Sequence, residues 1–420
     1  MKEQASENLA LVPKLRFPEF RDTGEWTLRA LSELLTEPKE KNRQLKFGSE
    51  HVLSVSGEHG CVNQIDFMGR SYAGASVKEY NVVATGDIVY TKSPLKACPN
   101  GIIKANKGAS GIVSVLYAVY RPTAQATSEF IDYYFSSDHK LNTYLQPLVK
   151  KGPKNSILVN NSDVLKGRIG APDVAEQQKI AECLSSLDGL IAAEREKLTA
   201  LRDHKKGLMQ LLFPAKGETT PRLRFPEFQT AGGWEERPLG EIATYQNGKA
   251  YEPHIVEEGR YIVVNARFIS TEGAVKKWSD NPLLIATKND ILMVLSDLPN
   301  GRALAKCYRV DEDEKYAVNQ RVARLTPHAV RSDFLFPALD RHPYLLGFND
   351  GMNQTHLSKE NVLACPILLP ADEEEQIAIA DCIASVERQV AAQVDLLREL
   401  KTHKSGLMQQ LFPSPAEASG

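Results

Sequence analysis

The sequence predicts an α+β protein in which two globular domains are separated by two long antiparallel coiled-coil helices and related by an internal pseudo-twofold repeat. Three observations carry this reading. The octapeptide "PKLRFPEF" at Pro13 to Phe20 returns as "PRLRFPEF" at Pro221 to Phe228, with seven of eight residues identical. The segment "GLMQLLFP" ending at Pro214 returns as "GLMQQLFP" ending at Pro413, again with seven of eight. Between these ends, each copy finishes on a long stretch with a single apolar stripe.

The opening motif is offset by 208 residues (221 − 13) and the closing motif by 199 (413 − 214), so the second copy lacks nine residues between its matched ends. The chain divides into an N-terminal segment with the first opening motif (1–25), a first domain (26–170), a first helix (171–214), a linker with the second opening motif (215–233), a second domain (234–370), a second helix (371–413) and a tail (414–420).

The helices have the clearest pattern. From Glu176, apolar residues fall at Ile180, Leu184, Leu187, Ile191, Leu198, Leu201, Leu208 and Leu212. The second copy places Ile379, Ile383, Val386, Val390, Leu397, Leu400, Leu407 and Leu411 at the same positions, each 199 residues on (379 − 180). Steps of three, four and seven make one stripe on a helix, and a period near 3.5 suits a paired rod. Roughly 37 helical residues at about 1.5 Å rise give a rod of around 55 Å. Both stretches end in Phe-Pro, where Pro cannot continue a helix, and both begin after a Pro-acidic segment, "GAPDVAEQQ" or "ILLPADEEEQ", that suits a helix start.

The domains have mixed patterns. Strand-like runs "GDIVYTKS" and "GIVSVLYAVYRP" have counterparts "NDILMVLSD" and "YAVNQRVARLTP", and helical stretches follow near 128–146 and 332–346. The framework is shared while the side chains differ, as in "VSVLYAVYRP" against "VNQRVARLTP". Two sites of one type that read different things would look like this.

Composition limits the class. The chain has 420 residues, 42% hydrophobic and 25% charged, and Lys+Arg 51 against Asp+Glu 53 excludes a protein that coats nucleic acid indiscriminately while allowing local basic patches. Its six cysteines form no CxxC or Cys/His cluster, so neither a zinc site nor a disulfide framework is indicated and a reducing, cytoplasmic setting fits. No segment reaches the roughly 18 apolar residues of a membrane span.

Enzyme signatures are also missing. There is no NPPF or DPPY segment, and "NPLL" at Asn281 lacks the second Pro and the aromatic residue. The Gly-Lys pair in "YQNGKA" has no Gly five residues before Gly248 and is followed by Ala250, so it is not a phosphate loop. "DEDEK" at Asp311 to Lys315 fits a solvated charged turn, and no histidine stands in a metal-ligand spacing. A two-headed scaffold would explain the helices and the duplication but gives no reason for divergent polar loops on matched folds. An enzyme with two catalytic domains needs the same acid, base or metal set in both copies, and none is apparent.

A repeated PxLRFPEF…W opening, a variable α+β domain and a Pro-acidic-EQ helix ending in GLMQxLFP together resemble the specificity subunit of type I restriction-modification systems, over about residues 13 to 413. The resemblance implies two target recognition domains, each binding half of an interrupted double-stranded DNA sequence. The paired helices would act as spacer and docking surface for two methyltransferase subunits, with restriction/translocase subunits joining through these. It implies no catalysis and no cofactor in this chain, since S-adenosylmethionine, ATP and Mg belong to the partner subunits.

A DNA reader needs cations for phosphate and Arg, Asn or Gln for base edges. In the first domain the candidates are Arg43 in "KEKNRQLK", Lys92, Ser93 and Lys96 in "YTKSPLKACPNG", and Lys150, Lys151, Lys154, Asn155 and Ser156 in "KKGPKNS". In the second they are Asn265 and Arg267 in "VVNARF", Asn300, Arg302 and Lys306 in "VLSDLPNGRALAK", Asn319, Arg321 and Arg324 in "YAVNQRVARL", and Gln354 and Thr355 in "DGMNQTHLS". Gln354-Thr355 sits 199 residues after Asn155-Ser156 (354 − 155), and such a pair suits phosphate or base contact and equally a cap. Asn319, Arg321 and Arg324 are expected to alternate with apolar residues on one strand, with Gln320 on its other face. A solvent-facing strand would have the same pattern.

Overall fold

The computed structural model describes residues 11–57, 59–74, 76–94, 97–152, 157–296, 303–349 and 356–413. The candidates Lys96, Lys154, Asn155, Ser156, Asn300, Arg302, Gln354 and Thr355 lie outside the described residues, and Lys151 is described in its backbone only. The chain forms two compact units, Met1–Glu194 with Leu396–Gly420 and Arg195–Asp395. Each unit therefore holds one domain, the near part of that repeat's own long helix and the end of the other's.

In the first unit, β1 (Leu35–Thr36), β2 (Ile88–Thr91), β3 (Ile102–Ala105) and β4 (Tyr117–Pro122) make an antiparallel sheet in the order β1-β4-β2-β3. In the second, β5 (Ala243–Asn247), β6 (Ile291–Val294), β7 (Cys307–Arg309) and β8 (Val322–Pro327) repeat it as β5-β8-β6-β7. The register is repeated as well: Leu35 faces Pro122 where Ala243 faces Pro327, and Ile88 faces Tyr120 where Ile291 faces Leu325. The long strand-like runs are each broken by a turn, so Gly111–Val113 precedes β4 and Tyr316–Val318 precedes β8 as separate strands in other sheets. The helical stretches are likewise divided, into Ser128–Tyr134 with Asp138–Leu145 and into Ser332–Leu339 with Pro343–Leu346.

The long helices are α1 (Val174–Leu212) and α2 (Glu373–Leu411). The stripe is covered along most of its length. Ile180, Leu184, Ile191, Leu198, Ile379, Ile383, Val386 and Leu397 are buried, and Leu187, Leu201, Val390 and Leu400 are half-buried. In the first unit the start of α1 runs beside the end of α2: Leu411 and Phe412 share a core with Ile180 and Leu184, and further along Lys404 Nζ lies 2.5 Å from Asp188 Oδ1. In the second unit the end of α1 runs beside the start of α2: Leu212 shares a core with Ile379 and Ile383, and Lys205 Nζ lies 2.6 Å from Glu387 Oε1. The helix segments are antiparallel within each unit.

The two opening motifs bind these helices. Arg16 makes a two-pronged ion pair with Glu176, at 2.8 and 2.7 Å, and Trp26 Nε1 donates to the same carboxylate at 3.2 Å. Arg224, Glu375 and Trp234 repeat the arrangement. The next residue of each "EQ" pair serves the head, since Gln177 Oε1 accepts from Thr127 N and Gln376 Oε1 from Arg331 N. Leu15 N donates to Gln410 O and Leu223 N to Leu211 O, which ties each opening motif to the closing motif of the other repeat. The closing phenylalanine then enters the head: Phe412 packs on Trp26 and Phe130, and Phe213 on Trp234 and Phe334.

Candidate nucleic-acid interface

Strand direction decides where the polar segments emerge. In the first unit Thr91, the last residue of β2, faces Tyr117, the first of β4, so the segment after Lys92 and the turn before β4 share one end of the sheet. β1 runs toward that end, which brings the Lys39 to Lys46 loop there. Lys41 Nζ donates to Asn81 Oδ1 at 2.7 Å, and Asn81 Nδ2 donates to Tyr117 O at 2.9 Å, joining the loop to the turn. Lys92 Nζ donates to Val159 O and Asn161 Oδ1 at 2.8 and 2.9 Å, joining its segment to the one after the Lys150–Lys151 and Ile157–Leu158 hairpin.

The second unit repeats the convergence. Val294 of β6 faces Val322 of β8, and β5 runs toward the same end. Lys249 N donates to Val318 O and Gly248 N to Val322 O. Ser296 bridges to His356, which brings together the described residues that border 297–302 and 350–355, where Asn300, Arg302, Gln354 and Thr355 stand in the sequence. Asn319 N donates to Val264 O, so Asn265 and the helix Ala266–Ser270 begin here too. Segments far apart in sequence thus share one end of each sheet.

Several candidates have structural work of their own. Lys92 is half-buried between two acceptors, and burial lowers its pKa from the usual lysine value against the pull of Glu37. Asn265 caps Ala266–Ser270, accepting from Phe268 N at 2.9 Å. Lys306 is half-buried and stands 3.5 Å from Glu272. Arg43, Ser93, Lys150 and Arg267 are exposed.

The expected strand row is corrected by the turn that breaks it. Asn319 is buried, donates to Glu252 and accepts from Gln320 N. Val322 N donates to Asn319 O, which closes a four-residue turn with Gln320 and Arg321 exposed together at its tip. Arg324 faces elsewhere, with Nη1 2.8 Å from Ile285 O and Nε 3.6 Å from Asp290. The sequence expectation missed Gln320, Lys249 and the matching turn of the first unit. That turn runs from Ser114 to Tyr117, closed by Tyr117 N on Ser114 O, with Val115 and Leu116 at its tip. Gly248 is the available signal: a Cβ there would lie 1.9 Å from Asn319 O, so only glycine lets the two segments meet.

Among the described residues no group of three or more His, Cys, Asp or Glu side chains could hold a metal ion, and no helix is long and apolar enough to cross a membrane. A polar cavity lined by Lys288, Asp290, Thr326 and Arg331 lies at the opposite end of β6 and β8 from the turn.

Residues 231–402, which span the second head and most of α2, match the family model of the type I restriction modification DNA specificity domain. The match covers 172 of the 420 residues (402 − 231 + 1), and this part of the chain resembles that domain. The type I restriction enzyme MjaVIII specificity subunit of Methanocaldococcus jannaschii is 25% identical over 264 residues, 58% of this chain and 61% of that protein, so the match spans less than two thirds of the relative. The crystal structure of the type I restriction-modification system S subunit from M. genitalium covers 96% of this chain and 100% of its own at a TM-score of 0.58 and 16% identity. A chain solved in work on complex assembly and conformational transition of the type I R-M system covers 93% of this chain and 98% of its own, at 0.50 and 17%. Both share the fold of this chain.

Proposed function

We propose that this chain is the DNA-reading subunit of a type I restriction-modification complex, each head binding one half of a bipartite double-stranded site. The observation that carries the reading is the pair of sheets with one strand order and one register, each gathering polar loops of different composition at the same end. A common frame with divergent loops suits two readers of one kind with separate targets. The long helices set the gap between half-sites and dock two methyltransferase subunits, through which restriction subunits join. Pseudo-twofold repetition of the helix surface suits two identical partners. The chain contributes recognition and no catalysis; S-adenosylmethionine, ATP and Mg serve the partners.

The test is co-expression of the full chain with a type I methyltransferase subunit and mapping of modified adenines along a genome. A two-part motif with a constant gap supports the reading, and replacing residues 26–170 then changes one half-site only. Lengthening both helices equally changes the gap and leaves both half-sites intact. A complex that forms and leaves no motif overturns it.

A further inference from the structure

The turns at the reading ends of the two sheets are structural equivalents with opposite chemistry. Each joins a short strand to the long sheet strand, each closes by a hydrogen bond from its fourth residue to its first, and each first side chain accepts from a backbone N–H within the turn, Ser114 from Leu116 and Asn319 from Gln320. The strands that follow keep a common register, Tyr120 on Ile88 and Leu325 on Ile291, so Val115 corresponds to Gln320 and Leu116 to Arg321. Leu116 is 72% exposed and Val115 54%, which leaves two adjacent apolar side chains in water at a tip whose counterpart offers an amide and a guanidinium. Exposed Lys249 stands beside the polar tip, and the loop that holds Lys39, Lys41 and Arg43 is tied to the apolar turn through Lys41 and Asn81, which donates to Tyr117 O. Each turn therefore has a cationic segment anchored to it, whose exposed members, Lys249 in one unit and Lys39 and Arg43 in the other, suit phosphate.

We propose that these two turns are specificity elements of the heads: Gln320 and Arg321 hydrogen-bond to purine edges in the major groove of one half-site, while Val115 and Leu116 make apolar contact with thymine methyl groups in the other. Arg pairs with guanine O6 and N7 and Gln with adenine N6 and N7, whereas a side chain without donors distinguishes bases by the thymine methyl. The inference rests on the DNA-reading role proposed above.

The test exchanges the tips in the full chain, as V115Q/L116R and as Q320V/R321L, each complexed with a type I methyltransferase subunit and selected against a library of randomised DNA duplexes. The expected result is that each exchange changes base preference at one or two positions of one half-site and leaves the other half-site as it was, which also reports correct folding. Arg321→Lys keeps the charge and loses the two-pronged fork, so discrimination at its position falls about 5- to 150-fold while the salt dependence of binding stays. If the unaltered complex selects a two-part motif and both exchanges select the same one, the turn assignment is overturned and the DNA-reading role stands. If the unaltered complex selects nothing, both fall.

Discussion

Arg224 and Glu375 form a two-pronged ion pair, Nε to Oε1 and Nη2 to Oε2 at 2.7 Å each, with side chains only 7% and 1% exposed. The pair joins the second opening motif to the first turn of α2, and Trp234 adds a third donor to the carboxylate. Arg16 and Glu176 repeat it, which explains why an Arg and a Glu recur with the duplication.

Removing one member leaves the other charge buried and unpaired. Glu375→Ala is expected to destabilise the second unit by about 3–5 kcal/mol, read from urea unfolding. Replacing both members with apolar residues of similar volume, as in R224M/E375L, is expected to be far milder. Equal losses in the two variants would show that the pair is not what holds the motif.

Phe412 is 2% exposed and stands 5.4 Å from Phe130 and 6.2 Å from Trp26 between ring centroids, so the end of the second repeat fills the core of the first unit. Phe412→Ala should cost about 3–5 kcal/mol. Hydrogen exchange should show lost protection in residues 26–171 with 234–369 unchanged, and the reverse pattern would refute the exchange of ends between repeats.

His342 Nδ1 accepts from Tyr344 N at 3.2 Å at the start of a short helix, and burial lowers its pKa from the ordinary 6.5. Between the lowered and ordinary values the unfolded chain holds a proton that the folded chain does not. Its contribution is thus complete above about pH 6.5 and is lost as pH falls toward the folded-state pKa. His342→Asn keeps a capping oxygen and cannot charge, so its Tm should fall less between pH 7 and 5 than that of the unaltered protein.

Gly248→Ala places a methyl group 1.9 Å from Asn319 O and 2.7 Å from Val322 O, both backbone atoms. The turn must move, at a cost of about 1–3 kcal/mol in thermal unfolding. In the methylation assay the second half-site should weaken while the first stays.

Lys249 is exposed beside the turn, where it suits phosphate. Lys249→Gln should weaken binding of all sequences about equally and reduce the slope of log affinity against log salt by about 0.9. Sequence-dependent weakening would move Lys249 from phosphate to base contact.

Much of the architecture was legible in the chain. The stripe from Ile180 to Leu212, its copy from Ile379 to Leu411, and the strand runs around Ile88 and Ile291 are local periodicities, set by the 3.6-residue and two-residue repeats of backbone geometry. The recurring Arg, Trp, Glu, Gln and Phe of the motifs marked a duplication, although their partners were not apparent. The candidate site was less legible. "YAVNQRVARL" alternates like one strand, yet the hydrogen bond from Val322 N to Asn319 O turns the chain, buries Asn319 and points Arg324 at Ile285 O.

By itself the sequence determined the repeat, the two helices with their apolar faces, the mixed heads and the family likeness, because each of these is written in residues near one another along the chain. Tertiary structure alone decided that the closing Phe of one repeat fills the head of the other, and that Lys249, Gln320 and Arg321 meet at one end of a sheet with Val115 and Leu116 at the equivalent place. Those relations depend on antiparallel pairing across dozens to hundreds of residues, where register and strand direction, rather than local composition, set which side chains become neighbours.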